Sequence, residues 1–218
     1  MAAWARRAAP ALLLALFTLL FWQPLAFSSD ILARGDTYNF FYPFWDARSA
    51  AFQAGHLPLW TPDLFMGAPL LADPQVGTFY PPNWLLAWLP TVDALRLAIL
   101  LHVFWAGLGA YALFRRLHDA SAAFSWGGIA AGLTFAGGGV LSAHAEQINQ
   151  VQGLSWLPWL VLFFWHVLEG KQGRDVVRAG LLLAAALALQ LFSGHTQTSF
   201  MSVCALGLFG AGWVLRHR

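Results

Sequence analysis

The chain of 218 residues contains one cysteine and few charges. Cys204 lies in an apolar run, so neither a disulfide framework nor a thiolate metal site is available. The sequence also lacks the HExxH and CxxC patterns of zinc sites and the motifs of serine hydrolases and P-loop nucleotide-binding proteins. The run Gly137-Gly138-Gly139 has no following Lys-Ser/Thr, so it indicates close helix packing.

Aromatic and aliphatic residues are abundant instead. Hydrophobic residues make up 59% of the chain, with 12 Trp and 18 Phe, and charged residues only 10%. The mean hydropathy of +0.59 exceeds what a soluble core could bury, which predicts an all-α integral membrane protein. Although the pI is near 9.0, the basic residues sit in short clusters beside apolar segments, where they set topology. We therefore expect no nucleic-acid partner.

A bilayer core requires about 20 apolar residues per helix, and this length predicts six membrane spans. Their approximate bounds are 8–27, 92–114, 122–142, 151–169, 177–193 and 197–215. The fifth has only about 15 strongly apolar positions after Arg178 and before Gly194. We include this fifth span because the fourth and sixth spans have a consistent orientation only if it crosses the membrane.

Basic residues predict the orientation of these spans. With a cytoplasmic N-terminus, nine of the 12 Lys and Arg residues fall inside, at Arg6, Arg7, Arg115, Arg116, Lys171, Arg174, Arg178, Arg216 and Arg218. Only Arg34, Arg48 and Arg96 remain outside. This asymmetry follows the positive-inside rule and predicts that both termini are cytoplasmic.

The first span has an alternative interpretation as a cleaved signal peptide, with Arg6 and Arg7 before the apolar stretch and small residues at Ala26 and Ser28. We favour a retained anchor because the stretch is longer than a typical signal core of about 7 to 15 residues. Cleavage would not change the orientation of the remaining spans.

Residues 28–91 form a long first external loop within a single membrane domain, 1–218. Its Phe, Trp and Tyr content argues against disorder. Pro43 suits the first position of a helix and Gly55 the residue after its end, so 43–54 is predicted as an interfacial amphipathic helix. Frequent prolines after it predict fixed turns, which favour a binding surface over a spacer.

Asp36 is the carboxylate of this loop that the sequence most strongly indicates as functional. Seven of the 10 acidic residues lie on the external side, and Asp30 and Asp93 are read as ordinary solvated groups. Asp36 differs because Gly35 permits a sharp turn before it, while Tyr38 and two phenylalanines after it could form an apolar wall that raises its pKa. We predict that Asp36 belongs to a functional site.

Two further polar clusters lie on the same predicted face. Residues 142–152 include His144, Glu146 and Gln147, and residues 193–198 include His195 and Gln197. Each histidine has an alternative role as a helix-end cap. The other histidines do not share this setting, and His102 and His166, which lie in spans, are expected to pair with polar groups of the helices.

Metal binding is left open. Asp36 and Glu146 could hold Mg²⁺ or Mn²⁺ against a phosphate, and a metal-free site has equal weight because the sequence has no closely spaced triad of ligands.

Several short motifs of the loop resemble a known family. They are Gly35-Asp36 with Tyr42-Pro43, GHLPLWTP at 55–62, FMGAPL at 65–70 and QVGTFYPP at 75–82, with further similarity at 152–158 and 193–197. These motifs resemble the first external loop of the YfhO-like bacterial membrane proteins. That family is similar to the GT-C superfamily of glycosyltransferases, which use polyprenyl-phosphate sugars.

The resemblance implies that Asp36 is the loop carboxylate that GT-C enzymes use as general base or metal ligand. A departing lipid phosphate needs cationic or dipolar groups, for which Arg34, Arg48, His144 and His195 are candidates. The full set of expected substrate-binding residues is Arg34, Tyr38, Arg48, Trp60, His144, Glu146, Gln147, His195 and Gln197.

The expected function is transfer of a sugar from a polyprenyl-phosphate carrier to a glycan or lipid acceptor, on the extracytoplasmic side of the bacterial cytoplasmic membrane. The alternative is a non-catalytic module that binds a lipid or glycan carrier, or a transporter subunit. A transporter would be expected to carry ionisable groups near the midplane, whereas the charges here cluster at one surface. Proteins of the resembled families are generally much longer, so this chain is expected to correspond to their N-terminal part.

Overall fold

The computed structural model describes residues 3–28, 35–118, 124–170 and 173–217, and this part of the chain is mainly helical. The helices are α1 Ala3–Phe21, α2 Gln23–Phe27, α3 Tyr42–Gln53, α4 Pro81–Leu86, α5 Thr91–Leu117, α6 Trp126–Ala136, α7 Gly139–Ala143, α8 Ile148–Ser155, α9 Leu157–Glu169, α10 Gly173–Phe192 and α11 Thr196–Arg216. A π-helical turn, Thr37–Phe41, leads into α3, and a 3-10 turn, Pro74–Val76, precedes α4.

Four helical segments are long and apolar enough to cross a membrane: Thr91–Leu117, Ile148–Glu169, Gly173–Phe192 and Thr196–Arg216. At 1.5 Å per residue, α5 is about 40 Å long, which exceeds the roughly 30 Å of a bilayer core. The predicted class, an all-helical multi-pass membrane protein associated with the bilayer, is confirmed at this level.

The other two predicted spans are divided. The apolar helix Ala8–Phe21 stops at Trp22, because Pro24, near the start of α2, has no N–H to continue the hydrogen-bond ladder. The predicted span at 122–142 consists of α6 and α7, which are separated at Gly137 and Gly138. Gly137 also packs closely, since a Cβ there would lie 2.8 Å from the ring of Phe17. The packing role expected for this residue is confirmed.

Helix α5 forms the centre of the bundle. Its buried residues Ala94, Leu95, Ala98 and Ile99 belong to the main core, with residues of α1 to α4 and α6 to α8 around them. Small residues allow the closest approach: a Cβ at Gly132 of α6 would lie 2.8 Å from a backbone oxygen of α5. Close packing of small residues is the usual means of association between membrane helices.

The predicted helix of the long loop is observed as α3, over Tyr42–Gln53. It does not lie alone on a bilayer surface: Trp45 belongs to the main core, and Phe44 and Arg48 are buried. Its Gln53 donates a hydrogen bond to the Ala87 carbonyl, 2.7 Å away. The helix is therefore an integral part of the packed domain.

Three connecting segments lie together at one end of the bundle, which we name the loop face. It comprises residues 35–90 together with the connections 143–148 and 193–196. The other end, where α5 and α9 end and α10 begins, is named the opposite face.

Candidate functional site

A buried hydrogen-bond network, the Tyr80 network, fixes the loop to the bundle. Tyr80 Oη lies 2.7 Å from Nε2 of His102 on α5 and accepts a 2.9 Å hydrogen bond from Nε1 of Trp156, at the junction of α8 and α9. His102 Nδ1 lies 2.6 Å from the Ala98 carbonyl and so carries the proton, leaving Nε2 to accept from the tyrosine. Burial raises the pKa of Tyr80 and keeps its hydroxyl neutral.

A second buried contact holds the next segment of the loop. Gln152 of α8 donates to Asn83 Oδ1 at 2.6 Å, and Asn83 Nδ2 donates to the Gly77 carbonyl at 3.2 Å. Both side chains are almost completely buried. Because a buried amide without partners is costly, this pair specifies how the loop sits on α8.

The connection between α10 and α11 meets the same loop at Gly194. Its φ is +92°, and a Cβ there would lie 1.9 Å from the Pro74 carbonyl oxygen, so glycine is required for both conformation and space. The Gly194 carbonyl accepts a 3.4 Å hydrogen bond from Asn149 of α8. Three connections far apart in sequence thus converge on the loop face.

Asp36 lies at this convergence. Gln147 Nε2 donates to Asp36 Oδ2 at 3.3 Å, and Thr37 Oγ1 donates to the Glu146 carbonyl at 2.8 Å. Gly35, with φ +52°, brings the loop backbone against Glu146: a Cβ there would lie 2.8 Å from Glu146 Oε2. The structure therefore places Asp36, Glu146 and Gln147 together, although they are about 110 residues apart.

The expected apolar wall around Asp36 is not formed. Phe41 points into the main core, and Phe40 stacks on Phe44 at a ring distance of 4.3 Å. Tyr38 is 61% exposed, and Asp36 itself is exposed. The aromatic residues turn inward because the π-helical turn continues directly into α3, which presents them to the core. Asp36 is thus an accessible carboxylate held by an amide.

His144 and His195 lie on the same face. His144 Nδ1 lies 2.7 Å from the Val140 carbonyl, so this nitrogen donates and Nε2 remains for another partner. His195 caps α11: its Nδ1 accepts from the Thr198 backbone N–H at 3.3 Å and lies 2.5 Å from Thr198 Oγ1. The pKa of His195 is lowered mainly by burial and further by electrostatic interaction with nearby His144. The capping role left open for these two histidines is thus observed, while their Nε2 atoms are not used by these bonds.

Other predicted site residues lie elsewhere. Arg48 is completely buried, where it stacks over Trp45 at 4.2 Å and donates to the Val76 carbonyl at 2.7 Å. Burial lowers its pKa to about 9. Its contacts fix α3 to the 74–76 turn, so Arg48 is a structural residue of the loop. Arg34 lies outside the described residues.

Trp60 and Gln197 are exposed and are not joined to Asp36 by any hydrogen bond found in the described residues. Trp60 covers Gly67 within a turn closed by pairing of Thr61 with Ala68. Gln197 lies in the first turn of α11, beside His195.

The histidines of the spans are confirmed as partners of polar groups. His102 belongs to the Tyr80 network, and His166 Nδ1 accepts a 3.4 Å hydrogen bond from Arg116 Nε on the opposite face. Within the part of the chain that the structure describes, no group of three or more His, Cys, Asp or Glu side chains is arranged to hold a metal ion.

Tyr80, Asn83 and Gln152 position the site, yet sequence reasoning gave them no individual role. Sequence signals were present near all three: Tyr80 lies within the 75–82 motif, Gln152 begins the similarity at 152–158, and Asn83 follows Pro81-Pro82 directly. Their pairing could not be inferred, since the partners are 69 to 76 residues apart.

Comparisons with protein-family models, curated proteins and solved structures found no significant match to this chain.

Proposed function

We propose that this protein is a membrane glycosyltransferase of the GT-C type, which transfers a sugar from a polyprenyl-phosphate carrier to a glycan or lipid acceptor outside the cytoplasm. The observation that carries the proposal is the position of Asp36. It is an exposed carboxylate, held by Gln147 and lying beside Glu146, on the face of a multi-pass bundle where three connections converge. An exposed carboxylate can reach an acceptor hydroxyl directly.

In the proposed reaction Asp36 is the general base. The acceptor hydroxyl gives its proton to Asp36 while its oxygen bonds to the anomeric carbon of the sugar, and the bond from that carbon to the carrier phosphate breaks. The amide of Gln147 orients the carboxylate through its 3.3 Å hydrogen bond. The products are the glycosylated acceptor and the lipid phosphate.

The departing phosphate requires hydrogen-bond donors, and His195 suits this role. Its Nδ1 accepts from Thr198, so the proton of the neutral ring lies on Nε2, where it can donate to a phosphate oxygen. The lowered pKa of His195 keeps the ring neutral at pH 7. His144, whose Nδ1 is engaged by Val140, is the second candidate.

A divalent ion fits the same residues in part. Mg²⁺ is usually held by one or two protein carboxylates together with substrate phosphates, and Asp36 and Glu146 are the side chains that would hold it. The ion would neutralise charge on the carrier phosphate. Activity that depends on added Mg²⁺ or Mn²⁺, with Glu146→Gln raising the ion concentration that is required, would favour this version over the metal-free one.

The proposal includes six crossings, with α1–α2 and α6–α7 each crossing in two pieces. Breaks of this kind are tolerated in membranes where the interrupted backbone is covered by protein. It also places the loop face outside and the opposite face in the cytoplasm of a bacterial cell, as the distribution of Lys and Arg predicts.

A second candidate is a non-catalytic module that binds the lipid-linked sugar. The observation that favours it is the exposure of Asp36, since the expected apolar wall does not surround this residue. Such a module would keep its carrier affinity when the carboxylate is neutralised.

The test compares Asp36→Asn with Asp63→Asn, a matched change at another exposed carboxylate of the loop. Turnover of a polyprenyl-phosphate sugar by full-chain protein in membranes should fall by about 10² or more in Asp36→Asn and remain near the wild-type rate in Asp63→Asn. Carrier binding is measured in parallel. Equal turnover in both variants would refute the role of Asp36 as general base. Carrier binding by a wild-type protein that shows no turnover would support the binding module.

A further inference from the structure

A polar cavity lies on the opposite face, far from Asp36. It has a volume of about 600 Å³ and lies between the end of α5, the end of α9 and the start of α10. Its lining combines charged residues with an apolar floor: Arg116, His166, Glu169, Asp175 and Arg178 with Phe163, Ala179 and Leu182.

The position of these residues along their helices sets their depth in the membrane. Arg116 and Glu169 lie at the ends of α5 and α9, and Arg178 lies about 7 Å from the start of α10. Leu182 lies roughly 13 Å along α10 on the same scale. Because these helices are long enough to cross a bilayer, we expect the charges at the level of the lipid headgroups and the apolar floor at the level of the acyl chains.

The charges of the cavity are balanced rather than basic. Arg116 forms an ion pair with Glu169 and a 3.4 Å hydrogen bond with His166, which builds one wall. Across from it, Asp175 and Arg178 are exposed and lie three residues apart on α10, on the same side of the helix. The cavity therefore offers a cation and a carboxylate side by side.

We propose that this cavity binds a phospholipid with a zwitterionic ethanolamine headgroup. Arg178, supported by Arg116, binds the phosphodiester, and Asp175 accepts hydrogen bonds from the ammonium. One acyl chain lies along Phe163 and Leu182. A purely anionic headgroup leaves the carboxylate opposed to a negative charge, and a choline headgroup has no N–H to donate. The proposal depends only on the multi-pass fold and not on the proposed catalytic function.

The test uses the purified full chain, stripped of lipid in detergent. It is mixed with phospholipids that have identical acyl chains and an ethanolamine, choline or glycerol headgroup. Binding is measured by native mass spectrometry and by the shift in unfolding temperature. We expect ethanolamine phospholipid to bind most tightly. Arg178→Gln should weaken this binding by about fivefold, as expected for one arginine contact to a headgroup at the membrane surface.

Arg174→Gln is the matched control, because Arg174 is an exposed arginine of the same first turns of α10 that does not line the cavity. It should leave binding unchanged. Asp175→Asn should abolish the preference for ethanolamine over choline, and Leu182→Trp should block binding while leaving the surface charge intact. Equal affinity for the three lipids, a preference for the glycerol headgroup, or equal effects of the two arginine changes would overturn the proposal.

Discussion

Tyr80→Phe should destabilise the protein, because it removes one hydroxyl and leaves two groups without their partner. His102 Nε2 and Trp156 Nε1 each lose a hydrogen bond, of 2.7 and 2.9 Å. A buried polar group left unpaired costs about 1–3 kcal/mol. Because Trp156 is only partly buried, we expect the free energy of unfolding to fall by about 2–4 kcal/mol in total.

The matched control is Tyr38→Phe, since Tyr38 is 61% exposed and its change should stay within about 0.5 kcal/mol. Unfolding of the full chain is followed in detergent by temperature or denaturant, with proteolysis of residues 57–71 as a reporter of loop release. A cycle with His102→Leu should give a coupling energy of about 1 kcal/mol or more. Equal stability of the two tyrosine variants would refute the Tyr80 network as an anchor of the loop.

Three further outcomes are expected. Gly194→Ala should markedly lower the unfolding temperature, because its Cβ would overlap the Pro74 carbonyl oxygen. Gly207→Ala on α11 is the control and should leave the unfolding temperature unchanged, because no atom lies within 4 Å of a Cβ at that position. Equal unfolding temperatures of the two variants would contradict the close contact at Gly194. Because the pKa of His195 is lowered in the folded protein, the unfolded state binds more protons below about pH 6.5, and the free energy of unfolding should fall on acidification. His195→Asn keeps a capping oxygen and should reduce this pH dependence, measured as the free energy of unfolding from pH 7 to 5. An epitope inserted beside Asp63 should be labelled from outside intact cells and a reporter fused after Arg116 should be cytoplasmic, while the reverse labelling would overturn the orientation.

Hydropathy and proline positions were sufficient to predict the helical membrane class, the long loop and helix α3. These features depend on local composition and on a periodicity that a single segment carries by itself. The division of the predicted span at 122–142 was harder to foresee, because Gly137 and Gly138 were interpreted only as packing residues. Packing is observed at Gly137, but the helix also ends there.

The meeting of the three connections on one face was predicted from sequence, but the contacts between them were not. The polarity of the three connections indicated a shared face, and the structure joins Asp36 to Gln147 across 111 positions of sequence. Arg48 was expected to bind substrate because a departing phosphate needs a cationic group, yet its guanidinium is buried and donates to the Val76 carbonyl inside the loop. Such contacts depend on how the loop packs on the bundle, and no local sequence pattern predicts that packing.

The central claim, that the first and second connections form one catalytic unit around Asp36, is tested most directly by a double-mutant cycle on sugar transfer. Asp36→Asn, Gln147→Ala and the double variant are compared in membranes at matched expression. If Gln147 acts by holding the Asp36 carboxylate, the double variant should transfer sugar at the rate of Asp36→Asn alone. Independent effects, with the double variant slower by the product of the two single losses, would contradict the account.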